Sequence, residues 1–577
     1  MTRKRTDPGD EGSTPASRRP AWPAMDRERL VAFSKRSQQV LLLAGATGAV
    51  TGLAVAGFDK LTMRLLRGVL ALPVAAQAVM PAAGLLLAAT FLRYGGAGAS
   101  PATSDVYIRA FHDRGRRMEQ RPVLARLAAA MATLGSGAPL GYEGPSLYLG
   151  AAIGTRIQRR FGRYFSPEDA KVLLVAGAAA GVAAIFKAPV TGLVFALEVP
   201  YQRDIAHRML LPAAISAAAS YVVFAALAGT DPILPIAGQP PFNLVDLGGA
   251  AAVGLAAGLL ARAFAAVMQT AKKASTTGRP AVRIAGAGAV LAATVLGGHL
   301  IAHAPLSLGP GYNALRWALA PERSVFAIVA LGTLRVAGTA AAVAGGGSGG
   351  LFIPLVIQGA LIGRVVGGLF DSGNAGLFPV VGMAAFLGAG YHVPLAAVVF
   401  VAEFTGRPGF VVPGLIAAVV AQLVIGRASI SPYQVGGRVG HLEGRLQLPL
   451  ATLVDTDART VPPDATVEEF FWQHLVGTRQ QSVAVVESSN FLGIAGTGEL
   501  AGVDRDAWGA TTVGSIMRRD IPVASTSWLL ADAIRIMEDA DVQLLAVCDG
   551  PTFVGTISAG DIVNVGDILD RLEPEEQ

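Results

Sequence analysis

The segment VAGAAAGVAAIFKAPVTGLVFALE, residues 175–198, decides the fold of this chain because a similar segment occurs a second time. The second copy, VVGMAAFLGAGYHVPLAAVVFVAE at residues 380–403, has the same length and repeats the glycine, proline, phenylalanine and glutamate positions. Two similar halves within one apolar region are typical of transporters whose halves are inverted relative to each other. Because Pro189 and Pro394 interrupt both copies, the repeat predicts a binding site near the middle of the bilayer.

The composition indicates a membrane protein. Of the 577 residues, 52% are hydrophobic and 15% are charged, whereas soluble domains have about 25% charged residues. Apolar stretches of about 20 residues, long enough to cross a bilayer, recur over residues 39–435, and the 70 glycines of the chain allow helices to pack closely. We therefore predict an all-α polytopic membrane domain of broken, tilted helices over residues 39–435.

The N-terminal residues 1–38 are polar and basic, and we predict a disordered cytoplasmic tail there. Their lysines and arginines precede the first apolar stretch, which places the N-terminus in the cytoplasm by the positive-inside rule. This bias explains the net charge of +6 better than nucleic-acid binding does, and no nucleic-acid partner is expected. Cys548 is the single cysteine, so no intrachain disulfide can form. We expect an integral protein of a bacterial-type plasma membrane with both termini cytoplasmic.

The pattern changes after a linker at residues 436–450. In residues 451–577, short β-branched runs at 481–487 and 544–549 predict strands, and amphipathic runs at 466–475 and 529–541 predict helices. The same order of elements occurs at about 451–506 and 512–571. The pair resembles tandem CBS domains, which implies a cytoplasmic α+β module.

The segment GYEGPSLYLGAAIG, residues 141–154, predicts an anion-binding helix N-terminus. Gly144 and Pro145 favour a helix start close to Glu143, where unpaired N–H groups and the helix dipole attract anions. The segment GGGSGGLFIPLVIQG, residues 345–359, predicts a second such start near Pro354. Two converging helix N-termini would bind an anion weakly enough to release it.

Glu143 is a carboxylate in an apolar region, where an ionisable group is expensive and indicates function. At an anion site it can occupy the position of the ion, block the path, and swing aside when it is displaced or protonated. The alternative is a carboxylate that only accepts hydrogen bonds from free helix amides.

Together, these motifs and the CBS-like region resemble the CLC family of chloride channels and proton/chloride antiporters, over nearly all of the chain after residue 38. The resemblance implies a homodimer in the lipid bilayer with one chloride pore per subunit, gated by Glu143. It implies that Tyr433 closes the site from inside with its hydroxyl, although an interfacial anchor is the alternative. The other implied anion-binding residues are Gly141, Tyr142, Gly144, Gly350, Leu351, Phe352 and Ile353.

Two departures from the family pattern concern anion binding. The family usually has a basic residue at the position of Tyr142, so the outer vestibule is expected to attract anions less. The family's first loop supplies a serine, but GSGAP at residues 135–139 lies too close to Glu143 to be its counterpart. The counterpart is expected in GAGASPATSDVY, residues 96–107, where Ser100, Thr103 or Ser104 could supply a hydroxyl.

A third departure concerns protons. Antiporters of the family usually carry a proton-relay glutamate directly after the position of Glu198, and here that residue is Val199. Valine cannot relay protons, so a passive voltage- or pH-gated chloride channel is favoured, with a proton-coupled chloride antiporter as the alternative. Neither a metal nor a cofactor is expected to be required.

Other functions have weaker support. The sequence around Ser348 fits the G-x-S-x-G pattern of serine hydrolases, with His299, His303 or His392 as a possible base, but nothing in their spacing selects one. A cation channel would need several acids facing one cavity, and Glu143, Glu198 and Glu403 are the clear intramembrane acids. In the CBS-like region, Ser558 and Asp561 are candidates for binding an adenine nucleotide, the alternative being a turn capped by Asp561.

Overall fold

A computed structural model describes residues 27–113, 118–165, 169, 171–234, 243–320, 322–370, 376–437, 448–476, 482–540 and 542–562, with residues 27–37 described by their backbone alone. The chain divides into two compact units, Met1–Gly437 and Arg438–Gln577. The predicted linker at 436–450 spans this division, but most of it lies outside the described residues.

The first unit is helical throughout its described part. Its helices are α1 (Arg27–Leu70), α2 (Val74–Thr90), α3 (Ser104–His112), α4 (Val123–Gly135), α5 (Glu143–Arg160), α6 (Val172–Phe186), α7 (Pro189–Glu198), α8 (Leu210–Ala228), α9 (Leu244–Ala274), α10 (Pro280–Ala302), α11 (Tyr312–Leu319), α12 (Val325–Ala344), α13 (Phe352–Gly367), α14 (Leu377–Tyr391), α15 (Pro394–Thr405) and α16 (Val411–Ile425). Helix α1 begins within the predicted tail, of which residues 1–26 lie outside the described part.

Seven of the described helices are long and apolar enough to cross a bilayer. Shorter apolar helices, among them α6, α7 and α13 to α15, have 10–17 residues. Because a helix rises about 1.5 Å per residue, these short helices end inside the membrane thickness. Irregular backbone is tolerated at that depth only where protein surrounds it, and every residue of α6 and α14 is buried. The predicted broken helices are therefore present.

The two halves pack through equivalent glycine contacts. A Cβ atom added to Gly150 in α5 would collide with the carbonyl oxygen of Gly177 in α6, and one added to Gly177 would collide with that of Gly150. In the second half, Gly359 in α13 and Gly382 in α14 stand in the same reciprocal relation. Close contact of helix backbones is how small residues stabilise membrane helix pairs. The two sequence repeats therefore also pack their helices in the same way.

Glu198 and Glu403 connect the halves by a second reciprocal contact. The Glu198 carboxylate accepts hydrogen bonds from the N–H groups of Leu395 (3.2 Å) and Ala396 (2.9 Å) at the start of α15. The Glu403 carboxylate accepts them from Val190 (3.1 Å) and Thr191 (2.8 Å) at the start of α7. Each carboxylate therefore accepts hydrogen bonds from N–H groups that have no partner within the helix of the opposite half. This is a structural role.

The second unit contains one six-stranded sheet, in the order β1-β2-β3-β6-β5-β4. The sheet contains the same three-stranded pattern twice: β1 and β2 are parallel and β2 and β3 antiparallel, and β4, β5 and β6 repeat this order. This repeated pattern agrees with the predicted duplication. The strands are β1 (Thr460–Val461), β2 (Ser482–Glu487), β3 (Asn490–Gly496), β4 (Val523–Ser525), β5 (Leu544–Asp549) and β6 (Thr552–Ser558), and the helical segments are Val467–Glu469 with Phe470–Leu475, Thr497–Leu500, Val513–Ile516 and Leu530–Asp539.

Candidate anion-binding site

The N-termini of α5 and α13 meet, as the sequence predicts. Gly141 and Gly350, which precede these helices, exchange two backbone hydrogen bonds: the Gly141 N–H donates to the Gly350 carbonyl (2.9 Å) and the Gly350 N–H donates to the Gly141 carbonyl (2.8 Å). Helix α5 begins at Glu143 and α13 at Phe352. The positive ends of two helix dipoles, each equivalent to about half a charge, therefore point into the same buried space.

Glu143 occupies that space. Its side chain is 2% exposed, and its Oε1 atom accepts a hydrogen bond from the N–H of Phe352 at 2.7 Å. Its Oε2 atom is buried without a hydrogen-bond partner. A buried acceptor without a partner costs free energy, so this carboxylate is held less completely than a cap such as Glu198. Its place is one that an anion could take.

Helix α3 brings a third N-terminus, which begins at Ser104, and the hydroxyl of Thr103 to the site. Thr103 Oγ1 is buried without a partner, and a Cβ atom added to Gly144 would lie 2.5 Å from it and 2.9 Å from the Cα of Gly350. Thr103 therefore lies against both anion-binding motifs. The hydroxyl of Ser100 also has no partner, while its carbonyl accepts a bond from Arg126 Nε at 3.0 Å.

Tyr391 lies in the site, although the sequence did not single it out. It is the last residue of α14 and is 3% exposed, and its ring lies 5.7 Å from that of Phe195, which in turn contacts the Phe352 ring. Tyr433, in contrast, is 40% exposed, and its ring packs under the guanidinium of Arg109 at 4.9 Å. The structure therefore does not bring Tyr433 into contact with the other predicted ligands. The alignment of the two repeats could have pointed to Tyr391, because this residue ends α14, the helix that corresponds to α6.

An aromatic cluster surrounds the Phe352 amide. The Phe352 ring contacts Phe186, Phe195 and Phe400 at centroid distances of 4.6, 5.2 and 4.8 Å, and Tyr391 adjoins Phe195 at 5.7 Å. These rings exclude water from one side of the site. Since electrostatic interactions strengthen as the local dielectric falls, the partial charges of the helix ends act more strongly here than they would in water.

Val199 follows the end of α7 and is fully buried. Its carbonyl accepts a hydrogen bond from Gln434 Nε2 at 2.8 Å, and the same side chain donates to the Tyr391 carbonyl at 2.6 Å. The position at which the family resemblance implies a proton-relay glutamate in antiporters is thus an apolar packing position here. The neighbouring Glu198 carboxylate is hydrogen-bonded to the start of α15.

The geometry also bears on the hydrolase alternative. The Ser348 hydroxyl is buried without a hydrogen-bond partner. His299 contacts Gln77 at 3.1 Å, and His392 contacts the carbonyl of Ala428 and the side chain of Gln422. The structure therefore does not place either of these rings as a base beside Ser348.

In the second unit, Ser558 and Asp561 bond to each other. The Ser558 hydroxyl and N–H donate to Asp561 Oδ2 at 2.6 and 2.9 Å, and the Asp561 N–H donates to the Ser558 hydroxyl at 3.1 Å. This reciprocal pattern is a capping arrangement. It agrees with the turn-capping alternative, and nucleotide binding at these residues stays a prediction.

Comparison with known proteins gives matches in both units of the chain. The family described as "Voltage gated chloride channel" matches residues 83–426, and the CBS domain matches residues 513–567. A putative chloride channel protein ClcB-like from Ralstonia nicotianae is 28% identical over 66% of this chain and 92% of its own. An H(+)/Cl(-) exchange transporter ClcA from Klebsiella pneumoniae is 28% identical over 69% of this chain and 87% of its own.

A solved structure shows that the fold is shared. The crystal structure of a eukaryotic CLC transporter is 16% identical, covers 92% of this chain and 98% of its own, and superposes with a TM-score of 0.58. The matched residues 83–426 contain α3, α5, α13, α14 and the site they form. The chain is therefore an integral membrane protein that belongs to the voltage-gated chloride channel (CLC) family and carries a CBS domain.

Proposed function

We propose that this protein exchanges chloride, or a similar small anion, for protons, with Glu143 as the group that takes part in both movements. The single observation that carries the proposal is the hydrogen bond of 2.7 Å between the Phe352 N–H and Glu143 Oε1, at the junction of α5 and α13. An ionised Glu143 and an anion would compete for this amide. A protonated Glu143 would no longer compete as a charge, so proton binding and anion binding are linked at one place.

The comparisons favour exchange over the passive channel that the sequence favoured. Val199 was the reason for preferring a channel, but a proton exchanger from Klebsiella pneumoniae is similar over 69% of this chain. Val199 is apolar, and the Glu198 carboxylate is hydrogen-bonded to the start of α15. In this proposal, protons therefore reach Glu143 by a route that uses neither residue. We further propose that the protein is a homodimer, that both of its termini are cytoplasmic, and that its CBS region modulates transport.

Proton coupling is the first test. We expect purified protein in liposomes, given an outward chloride gradient and no proton gradient, to drive protons inward against their electrochemical gradient. The measurement records external pH and chloride together, with potassium in both compartments and a potassium ionophore to carry the compensating charge. A proton ionophore, which should then abolish the pH signal but not chloride efflux, is the control. Chloride efflux with no proton movement would instead establish a passive channel.

Tyr391 gives the second test. We expect Tyr391→Phe, which removes only the hydroxyl, to raise the half-saturating chloride concentration about fivefold, because one hydrogen bond contributes about 1 kcal/mol. Tyr433→Phe is the matched control and should leave this concentration unchanged, since Tyr433 is 40% exposed and its ring packs against Arg109. An effect of Tyr433→Phe without one of Tyr391→Phe would show that the exposed tyrosine carries the role.

A further inference from the structure

A cavity of about 650 Å³ lies beside the gate residue. Tyr142, the chain neighbour of Glu143, lines it together with Tyr312. The Tyr142 hydroxyl contacts Met63 Sδ at 3.3 Å. The last turns of α1 therefore form one wall of a cavity that Tyr142, the residue directly before Glu143, also lines.

Four basic residues line this cavity. Lys60, Arg64 and Arg67 follow one another at i, i+4 and i+7 and so share one face of α1. The fourth, Lys187, comes from the loop between α6 and α7 and donates to the Ala228 carbonyl at 2.9 Å. Among the described lining residues Asp59 is the one carboxylate, so four cations face one anion. The cavity carries a clear excess of positive charge.

This arrangement is costly without a ligand. Like charges at i and i+4 destabilise a helix, and basic side chains within a membrane-spanning helix are expected to face a water-filled path. A cleft lined by charge of one sign, with walls of low dielectric, focuses the electric field and raises the local concentration of the opposite ion. The cavity is also far larger than one small anion, so it can hold a hydrated or polyatomic one.

We propose that Lys60, Arg64, Arg67 and Lys187 form a second anion-binding site in front of Glu143, which concentrates the transported monovalent anion and which divalent oxyanions such as sulfate occupy without passing. Full positive charges attract a divalent anion twice as strongly as a monovalent one. The partial charges of the helix ends beyond Glu143 are too small to replace the hydration of sulfate. The site compensates for Tyr142, whose lack of charge predicted a weakly attracting vestibule.

The test measures chloride transport in liposomes without anionic lipid, with sulfate in both compartments. We expect sulfate to raise the half-saturating chloride concentration and to leave the maximal rate unchanged. In the variant Lys60→Gln/Arg64→Gln/Arg67→Gln, the half-saturating chloride concentration without sulfate should be about tenfold higher, and the effect of sulfate should disappear. Asp59→Asn should act in the opposite direction and increase sensitivity to sulfate.

Lys273→Gln is the matched control, because Lys273 is exposed on α9 and does not line the cavity. A triple variant with wild-type half-saturating chloride and wild-type sulfate sensitivity would overturn the proposal. If the triple variant fails to fold, Arg64→Gln and Asp59→Asn, expected to shift sulfate sensitivity in opposite directions, decide the question.

The proposal rests on the proposed transport function for this readout, but its binding step is independent. Isothermal titration of the detergent-solubilised full chain with sulfate should show binding in the wild type and not in the triple variant, even if no chloride were transported. Equal heats from both proteins would contradict the second site, whereas absence of chloride transport alone would contradict only the proposed function.

Discussion

Replacing Glu143 with Ala is expected to abolish proton movement and to leave an anion path that no longer responds to pH. The ionised carboxylate competes with the anion for the Phe352 amide, and a hydrogen bond of this charged kind contributes about 1.5–3 kcal/mol. Removing it should raise chloride flux at neutral pH about tenfold or more, since 1.4 kcal/mol corresponds to a factor of ten. In the wild type, flux should rise as pH falls, because protonation removes the competing charge.

The variant Glu143→Gln removes the charge of the side chain but keeps its size. It resembles the protonated side chain, so we expect lost proton coupling and pH-independent flux in this variant too. Glu322→Gln, at an exposed carboxylate of the same unit, is the control and should behave as the wild type. The measurement is chloride efflux from liposomes at pH values from about 4 to 8. Flux that stays as pH-dependent as in the wild type, with protons still moving, would show that Glu143 is not the gate.

Replacing Gly177 or Gly382 with Val is expected to prevent folding of the membrane unit. The backbones of α5 and α6 touch at Gly150 and Gly177, so an added side chain meets a carbonyl oxygen that cannot rotate away. Overpacking ordinarily costs about 1–3 kcal/mol, and here two helices must separate along their whole contact. We therefore expect the cost at Gly177 or Gly382 to exceed this ordinary range and to be comparable with a typical stability of about 5–15 kcal/mol.

Gly286→Val is the matched control for the glycine experiment. Gly286 lies within α10, and nothing lies within 4 Å of a Cβ atom added there. Size-exclusion chromatography in detergent should show a single folded peak for Gly286→Val and aggregates for the other two. A folded, transport-active Gly382→Val protein would show that the close packing of the second half is not required.

Much of this architecture could be predicted from the sequence because it depends on local rules. Pro145 and Pro354 each lie in the first turn of a helix, where proline is favoured, and the aligned glycines of the repeat proved to be packing contacts. Glu143 stood out because a carboxylate in an apolar region needs an explanation. The repeat predicted that two helix N-termini converge and the family resemblance implied Phe352 as a ligand, whereas the bond between Glu143 and Phe352, 209 residues apart, comes from the structure.

Other features depended on distant contacts that no local pattern contains. The hydroxyl of Thr103 reaches the site because α3 starts there, and the loop before it keeps no recognisable motif. Tyr391 has an ordinary apolar context in the sequence, so only its position at the end of α14 reveals it. The basic face of α1 precedes Tyr142 by about 80 residues, and only the fold places the two around one cavity.

The most direct test of the account is the position of a bound halide. Crystals of the Glu143→Gln protein grown in bromide should show an anomalous peak at hydrogen-bonding distance, about 3.3 Å, from the Phe352 N–H, where the Glu143 carboxylate lies in the wild type. The same crystals of wild-type protein should show a weaker peak or none at that position. Bromide bound only elsewhere, with the Phe352 amide unoccupied by halide in the variant, would contradict competition between the carboxylate and the anion.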